Sequence, residues 1–418
     1  MGSFEYASKI INDVFKNNLS FKTACRVAFK KEENPQIKQD VISVVGCALR
    51  HYYVFKELAI RQYPEISDEA FLVLSLGLAN HLFAKKFEET SFNKYVENES
   101  GLSGAVDFIN SFNDPKALIP QDIEYESKKF LSLRYNLPMW IVNLWIKNLG
   151  KPFFIKKLFH SLSSKNLNSA LRINTNNISD EEFYKKYQNF GPYSLEHVAI
   201  CNDENANVKG HFAVRNGDAF TYPLGYTLMC KDLDIDPMRG IAIFNGCSNH
   251  LLKELCAILG PGFKADVLCG NQAVLMEAES LKKIYRLNSI SLFECPHTAM
   301  LTCISKPVHT MFVSPENSHF QSLIDTPEYF LRCKQEDLDK YIAIEKESLL
   351  EASKQVELGG DLVYFVPTLC KNETKRVIHA FLNEHSEFTL VNEKQLFPFD
   401  PYKSLMYFAI LRKEKNND

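Results

Sequence analysis

From about residue 225 onward the sequence alternates short apolar runs with longer amphipathic ones, and no other feature limits the fold as tightly. Gly240–Phe244, Ala265–Cys269, Val308–Val313, Asp361–Val366 and Ser404–Leu411 read as strands. Leu251–Leu259, closed by Gly260-Pro261-Gly262, reads as a helix, as do Val274–Tyr285 and Glu373–Leu382. Leu338–Val356 reads as a long amphipathic helix stopped by Gly359-Gly360. Strands joined by helix-length crossovers pair in parallel, which predicts a doubly wound sheet covered on both faces. Ligands in such sheets sit at the carboxyl ends of the strands.

The N-terminal part has a different period. Ala7, Ile10, Ile11, Val14 and Phe15 recur at helical spacing, as do Val41, Ile42, Val45, Leu49 and Tyr53. Phe71, Leu72, Leu74, Leu76 and Leu78 make a helix apolar nearly all round, which predicts burial. Ala105–Phe112 reads as a further helix ended by Asn113-Asp114-Pro115. A chain of 418 residues exceeds one ordinary core. The reading is therefore three parts: a helical domain over 1–125, basic helices plus a small α+β segment over 126–222, and an α/β domain over 223–418. In the middle part, 170–174 and 197–200 read as strands and Ser179-Asp180-Glu181-Glu182 as a helix start.

The middle part also carries the charge signal. Between Ser127 and Ser179 there are nine bases, Lys128, Lys129, Arg134, Lys147, Lys151, Lys156, Lys157, Lys165 and Arg172, and no Asp or Glu. The composition of the whole chain, with 51 acids, would place about six there. Both tryptophans, Trp140 and Trp145, lie in the same stretch. Bases neutralise phosphates and exposed rings stack on nucleobases, so the segment is a candidate RNA surface. The bland alternative makes the rings core and the lysines a solvated face. The net charge of -3 excludes a uniformly basic nucleic-acid binder and leaves this local excess hidden.

Other signals are weak. Eleven cysteines without a CxxC pair suit reduced thiols in a cytosolic protein rather than a zinc ribbon. His297, His309 and His319 have no metal-spaced partners, so no metal is expected. Asp325, Glu328, Glu336, Asp337 and Asp339 read as a solvated acidic face. No signal peptide and no apolar run of membrane-spanning length is seen. A cytoplasmic monomer contacting neither membrane nor DNA is expected.

Several fragments, in order, resemble one family. Val45-Gly-Cys-Ala-Leu-Arg50 resembles a NusB-type helix, and Asp107-Phe-Ile-Asn-Ser-Phe112 an "FVNxxLR" helix without its arginine. Leu133-Arg-Tyr-Asn-Leu-Pro-Met-Trp140, Leu171-Arg-Ile-Asn-Thr175 and Gly359-Gly-Asp-Leu-Val-Tyr364 follow at matching places. Together they resemble the Sun/Fmu (RsmB-type) ribosomal RNA cytosine-5 methyltransferases with a NusB-like domain in front. The resemblance implies an all-α NusB-like bundle, a small α+β RNA-binding segment and a Rossmann-like class I methyltransferase domain. It implies S-adenosylmethionine (SAM) as cofactor and ribosomal RNA as partner, with Lys128, Lys129, Arg134, Lys147, Lys151, Lys156, Lys157 and Arg172 as RNA contacts. It also implies two cysteines: a nucleophile in a "TC" motif that adds to C6 of cytosine, and a second in "DxPCSG" that releases the product.

At these positions the sequence departs from the family. The "LDxCAAPGGKT" loop reads Ile241 to Leu252, leaving Gly246, Ser248 and Asn249 as the remaining cofactor candidates. Asn271 stands at the acid that binds the cofactor ribose. Glu316 stands at the second cysteine and Pro367 at the nucleophile, with Cys370 the one thiol nearby. The expectation is an RNA-binding family member without the cysteine chemistry. The alternatives are an active methyltransferase with altered motifs, and a protein-interaction scaffold.

Overall fold

The computed structural model describes residues 2–150, 152–163, 170–203, 208–236, 238–245, 249–320, 326, 328–400, 402 and 404–414. The chain divides into two compact units, residues 1–155 with 322–335, and residues 156–321 with 336–418. The division falls inside the helix Pro152–Ser163. The helices Lys128–Tyr135 and Met139–Leu149 thus belong to the first unit and the small sheet to the second.

The first unit is helical. Its helices begin where a side-chain oxygen can take the free N–H groups of the first turn: Ser20, Asn34, Ser67 and Ser127 each do so. The helix Asp68–Ala79 is buried from Ala70 to Ala79, as its all-round apolarity predicts. Gly77 lets a neighbour come close, since a Cβ there would lie 2.6 Å from Cδ1 of Ile109.

A late segment of the sequence completes this unit. Glu328 is fully buried and its Oε1 accepts the backbone N–H of Phe21 at 2.8 Å. Phe330 meets Trp145 edge-on at 5.9 Å, and Arg332 donates to Oδ1 and the carbonyl of Asn18. This corrects the reading of Glu328 as part of a solvated acidic face. Its carboxylate serves the first turn of the helix Phe21–Ala28. Asp325 lies outside the described residues.

The second unit holds two sheets. The smaller is antiparallel, with strands β1 (Ala170–Ile173), β2 (Phe190–Pro192), β3 (Val198–Cys201) and β4 (Ala219–Phe220) in the order β2-β3-β1-β4. The larger contains β5 (Ile241–Phe244), β6 (Ala265–Cys269), β7 (Ile290–Glu294), β8 (Val308–Val313), β9 (Val356–Val366), β10 (Phe388–Leu396) and β11 (Met406–Lys413). Its order is β10-β11-β9-β8-β5-β6-β7. The strands β5 to β9 pair in parallel, while β11 runs antiparallel to both β9 and β10. Successive residues feed opposite faces. Ile241 and Ile243 join one buried cluster, Ala242 and Phe244 the other. Both faces are therefore covered, as the apolar runs predict.

The glycine pair has a different job from the one expected. The helix ends at Ser353, and Val356 already starts β9, which continues through Gly359 and Gly360. Against β8 the register moves from Val308↔Val356 to Thr310↔Asp361, so the pair sits in a bulge rather than at a helix stop. Gly359 has φ 79, and a Cβ on Gly360 would lie 2.6 Å from the carbonyl oxygen of His309. Gly360→Ala should therefore lower the stability of the second unit by about 1–3 kcal/mol. A denaturant titration followed by a probe in the α/β unit checks this.

Candidate functional site

The carboxyl ends of β5, β6, β8 and β9 are where this kind of sheet places its chemistry. At the end of β5 the chain turns through Asn245, a non-glycine residue at φ 49. Asn245 is held by two bonds to the neighbouring strand: its N–H donates to the carbonyl of Leu268 at 2.9 Å, and its Oδ1 accepts from the N–H of Gly270 at 2.7 Å. Gly270 must lack a side chain, because a Cβ would lie 2.7 Å from Oδ1 of Asn245. Gly246 and Ser248 lie outside the described residues, as does the side chain of Asn249, which opens the helix Asn249–Leu259. Asn271 caps the helix Gln272–Ile284, its Oδ1 accepting from the N–H groups of Ala273 and Val274. A ribose diol is best held by a carboxylate with two free acceptors. Here the only acceptor side chain at that position is spent on the helix.

The loops after β8 and β9 are joined to each other. Ser318 and Thr368 are fully buried and their hydroxyls lie 2.7 Å apart. Both hydrogen-bond to one buried carboxylate. Glu373 accepts from the Ser318 N–H at 2.7 Å, from the Ser318 hydroxyl at 2.7 Å and from the Thr368 hydroxyl at 3.1 Å. The Tyr364 hydroxyl donates to the Glu373 carbonyl at 2.7 Å. Burial raises the pKa of the Glu373 carboxyl, while the bonds from Ser318 and Thr368 pull it down.

Glu345, on the helix Asp337–Ser353, is fully buried, and neither of its oxygens has a hydrogen-bond partner. Burial, reinforced by the charge of Glu373, pushes its carboxyl up to about 11. Glu345 is therefore a neutral acid at physiological pH. Above its unfolded value near 4.5 the unfolded chain ionises while the folded chain keeps the proton, so this residue costs stability as pH rises. Glu345→Gln should stabilise the protein, and the gain should grow from pH 5 to pH 9 by at most about 1.4 kcal/mol per unit. Paired denaturant titrations across that range test it.

Glu316 is exposed, Pro367 is buried, and Cys370 is buried in the same network. The N–H of Cys370 donates to the Thr368 hydroxyl at 3.2 Å, and its carbonyl accepts from the Thr374 hydroxyl. Burial and the charge of Glu373 push the Cys370 thiol up to about 12. A thiol must ionise to act as a nucleophile, so Cys370 does not fit that role at neutral pH. In the native protein Cys370 should stay unmodified by iodoacetamide at pH 8, while the more exposed Cys303 and Cys333 react. Peptide mass spectrometry reads the difference, and full modification of Cys370 without unfolding would contradict the geometry.

The basic residues are divided between the units. In the first unit Lys128, Lys129, Arg134 and Lys147 are exposed. Lys129 is tied to Glu57 at 2.5 Å, while Lys128, Arg134 and Lys147 have no carboxylate partner among the described residues. Asn136 hydrogen-bonds to Leu49 and Tyr53, which brings this helix against the end of Pro35–Arg50. Arg50 and Arg134 both depress the pKa of His51, whose imidazole burial already lowers. Arg50 therefore joins Arg134, a proximity the sequence hid because 84 positions separate them. In the second unit Lys156 and Lys157 are exposed, Lys157 lying 4.5 Å over the Phe399 ring. Lys151 and Lys165 lie outside the described residues.

Arg172 is a correction. It is 5% exposed, and its Nε donates to Glu254 at 3.4 Å while Nη1 donates to the carbonyls of Ile173 and His197. Buried against its own sheet, it is not part of a surface for RNA phosphates. Both faces of β1 are buried: Leu171 and Ile173 join the core of the small sheet, and Arg172 falls on the other side, toward Glu254 of the helix Asn249–Leu259. Trp145 is likewise fully buried. Among the described residues no group of three His, Cys, Asp or Glu side chains is placed to hold a metal ion. No helix among them is long and apolar enough to cross a membrane.

No protein-family model matches the sequence, and no curated protein does. Solved structures do match. The structure of PH0851 covers 99% of this chain and 99% of its own, with a TM-score of 0.70 at 14% identity. NSun6 from Pyrococcus horikoshii, solved with SFG, covers 65% of this chain and 97% of its own, with a TM-score of 0.54 at 11% identity. A methyltransferase homologue from Pyrococcus horikoshii covers 68% and 97%, with a TM-score of 0.55 at 14% identity. At these identities the likeness establishes the fold: a helical N-terminal part followed by a Rossmann-like, mostly parallel α/β domain of the methyltransferase kind.

Proposed function

We propose that this protein is an RNA-binding member of the Sun/Fmu (RsmB-type) family that has lost cytosine-5 methyl transfer and keeps the methyltransferase fold as a platform. The observation that carries this reading is the pair of catalytic loops. Their cysteine positions hold Glu316 and Pro367, and Ser318, Thr368 and Glu373 join the loops through a buried network. Addition to C6 of a pyrimidine needs a thiolate, and the one nearby thiol is held protonated. The cofactor side agrees with this, because Asn271 is engaged as a helix cap.

The RNA part of the proposal rests on the exposed, unpaired cations of the first unit, Lys128, Arg134 and Lys147, now joined by Arg50. The NusB-like character of that unit, ribosomal RNA as the target, a cytoplasmic location and a monomeric state belong to the same proposal. Each phosphate neutralised on single-stranded RNA adds about 0.7 to the slope of log affinity against log salt. A ribosomal RNA fragment should therefore bind with a salt slope that falls by about 2 in the triple variant Lys128→Glu, Arg134→Glu, Lys147→Glu. Binding without salt dependence would favour a protein scaffold. Covalent trapping on RNA containing 5-fluorocytosine would favour an active methyltransferase.

A further inference from the structure

We propose that the second unit carries a binding site for a small organic oxyanion, a phosphate or carboxylate on an apolar body, in the cavity built around Arg172. The cavity has a volume of about 340 Å³, within the range of small-ligand sites. It is lined from β1, from the turn at residues 195–197, and from the helices Gly225–Lys231 and Asn249–Leu259. None of its lining residues is among the candidate cofactor or cysteine positions.

Arg172 is the anchor. Its Nε and Nη1 are engaged, but Nη2 has no protein acceptor among the described residues. Nη2 is open to the solvent of the cavity, and an anion that displaces water there gains a charge-assisted hydrogen bond. The carboxylate that balances Arg172 cannot supply that acceptor. Glu254 is 1% exposed, and besides Arg172 it accepts from the hydroxyls of Tyr222 and Thr227. The guanidinium is thus fixed by the fold, its charge balanced, with one edge open to the cavity.

A second cation lines the same space. Lys231 lines the cavity and has no carboxylate partner among the described residues. His197 lines it from a left-handed backbone at φ 57, a conformation that costs a non-glycine residue free energy. That conformation is held in place. The His197 carbonyl accepts from Arg172 Nη1 and from the Ile173 N–H, and its Nδ1 meets Asp180 at 3.0 Å. Two cationic side chains on one space, Arg172 and Lys231, select an oxyanion, and a guanidinium edge suits the two oxygens of a phosphate or carboxylate. Glu196, the other acid on the lining, is exposed, where solvent screens it. Leu195, Leu233 and Ile258 add an apolar patch beside Thr175 and Thr227, which suits a small ring on the ligand.

The test is calorimetry on the full chain with phenyl phosphate, benzoate and, as the neutral analogue, benzyl alcohol. Saturable one-site binding of phenyl phosphate or benzoate, with benzyl alcohol at least about tenfold weaker, is expected. Whichever anion binds more tightly assigns the site to a phosphate or to a carboxylate ligand. Arg172 is too buried to test cleanly, so the variants are Lys231→Glu at the mouth and Ile258→Trp on the exposed wall. Lys231→Glu should weaken binding about tenfold or more and Ile258→Trp should abolish it, both with unchanged circular dichroism and Tm. The proposal is overturned if neither anion binds, if benzyl alcohol binds equally well, or if both folded variants bind as the parent does.

Discussion

A single buried carboxylate organises the end of the sheet where chemistry is expected. Glu373 takes the N–H and hydroxyl of Ser318 from the loop after β8 and the hydroxyl of Thr368 from the loop after β9. Satisfied on all sides, such a network is rigid, because breaking any member strands a buried polar group. The same carboxylate reinforces the burial that keeps Glu345 protonated and that raises the Cys370 thiol. The cytosine-5 chemistry of the proposed family needs those two loops to present thiols to a substrate. Here they are bound to each other through Ser318, Thr368 and Glu373.

The fold was legible because its determinants are local and repetitive. Strands buried on both faces must be apolar throughout, so Ile241–Phe244, Val308–Val313 and Leu362–Val366 stand out in the sequence. What escaped lies at the edges. The edge strand β10 reads Phe-Thr-Leu-Val-Asn-Glu-Lys-Gln-Leu and the edge strand β7 is largely exposed, so neither carries a continuous apolar signal. The bulge at Gly359-Gly360 was mistaken for a helix stop because both uses of glycine look alike in one dimension. The capture of residues 328–332 by the helical unit depends on contacts with residues 18 and 21, more than 300 positions away.

The site was legible by position and not by partnership. Motif spacing located Glu316, Pro367 and Cys370 at the loop ends, but not the acid that binds those loops together. Glu373 reads as the first residue of an ordinary amphipathic helix, and Glu345 as one charge among many on a long one. The basic segment was overread in one respect. Arg172 shares its charge but is buried, because both faces of β1 are covered and Glu254 meets it from the helix Asn249–Leu259. Arg50 was missed for the converse reason, lying far off in sequence and close in space to Arg134 through His51.

The proposed loss of methyl transfer also requires that the cofactor site of the methyltransferase fold no longer binds SAM. Titrating the full chain with SAM in a calorimeter tests that claim most directly. No saturable heat at millimolar ligand is the predicted result, given a helix-capping Asn271 where a carboxylate would hold the ribose. Saturable binding in the micromolar range would contradict it.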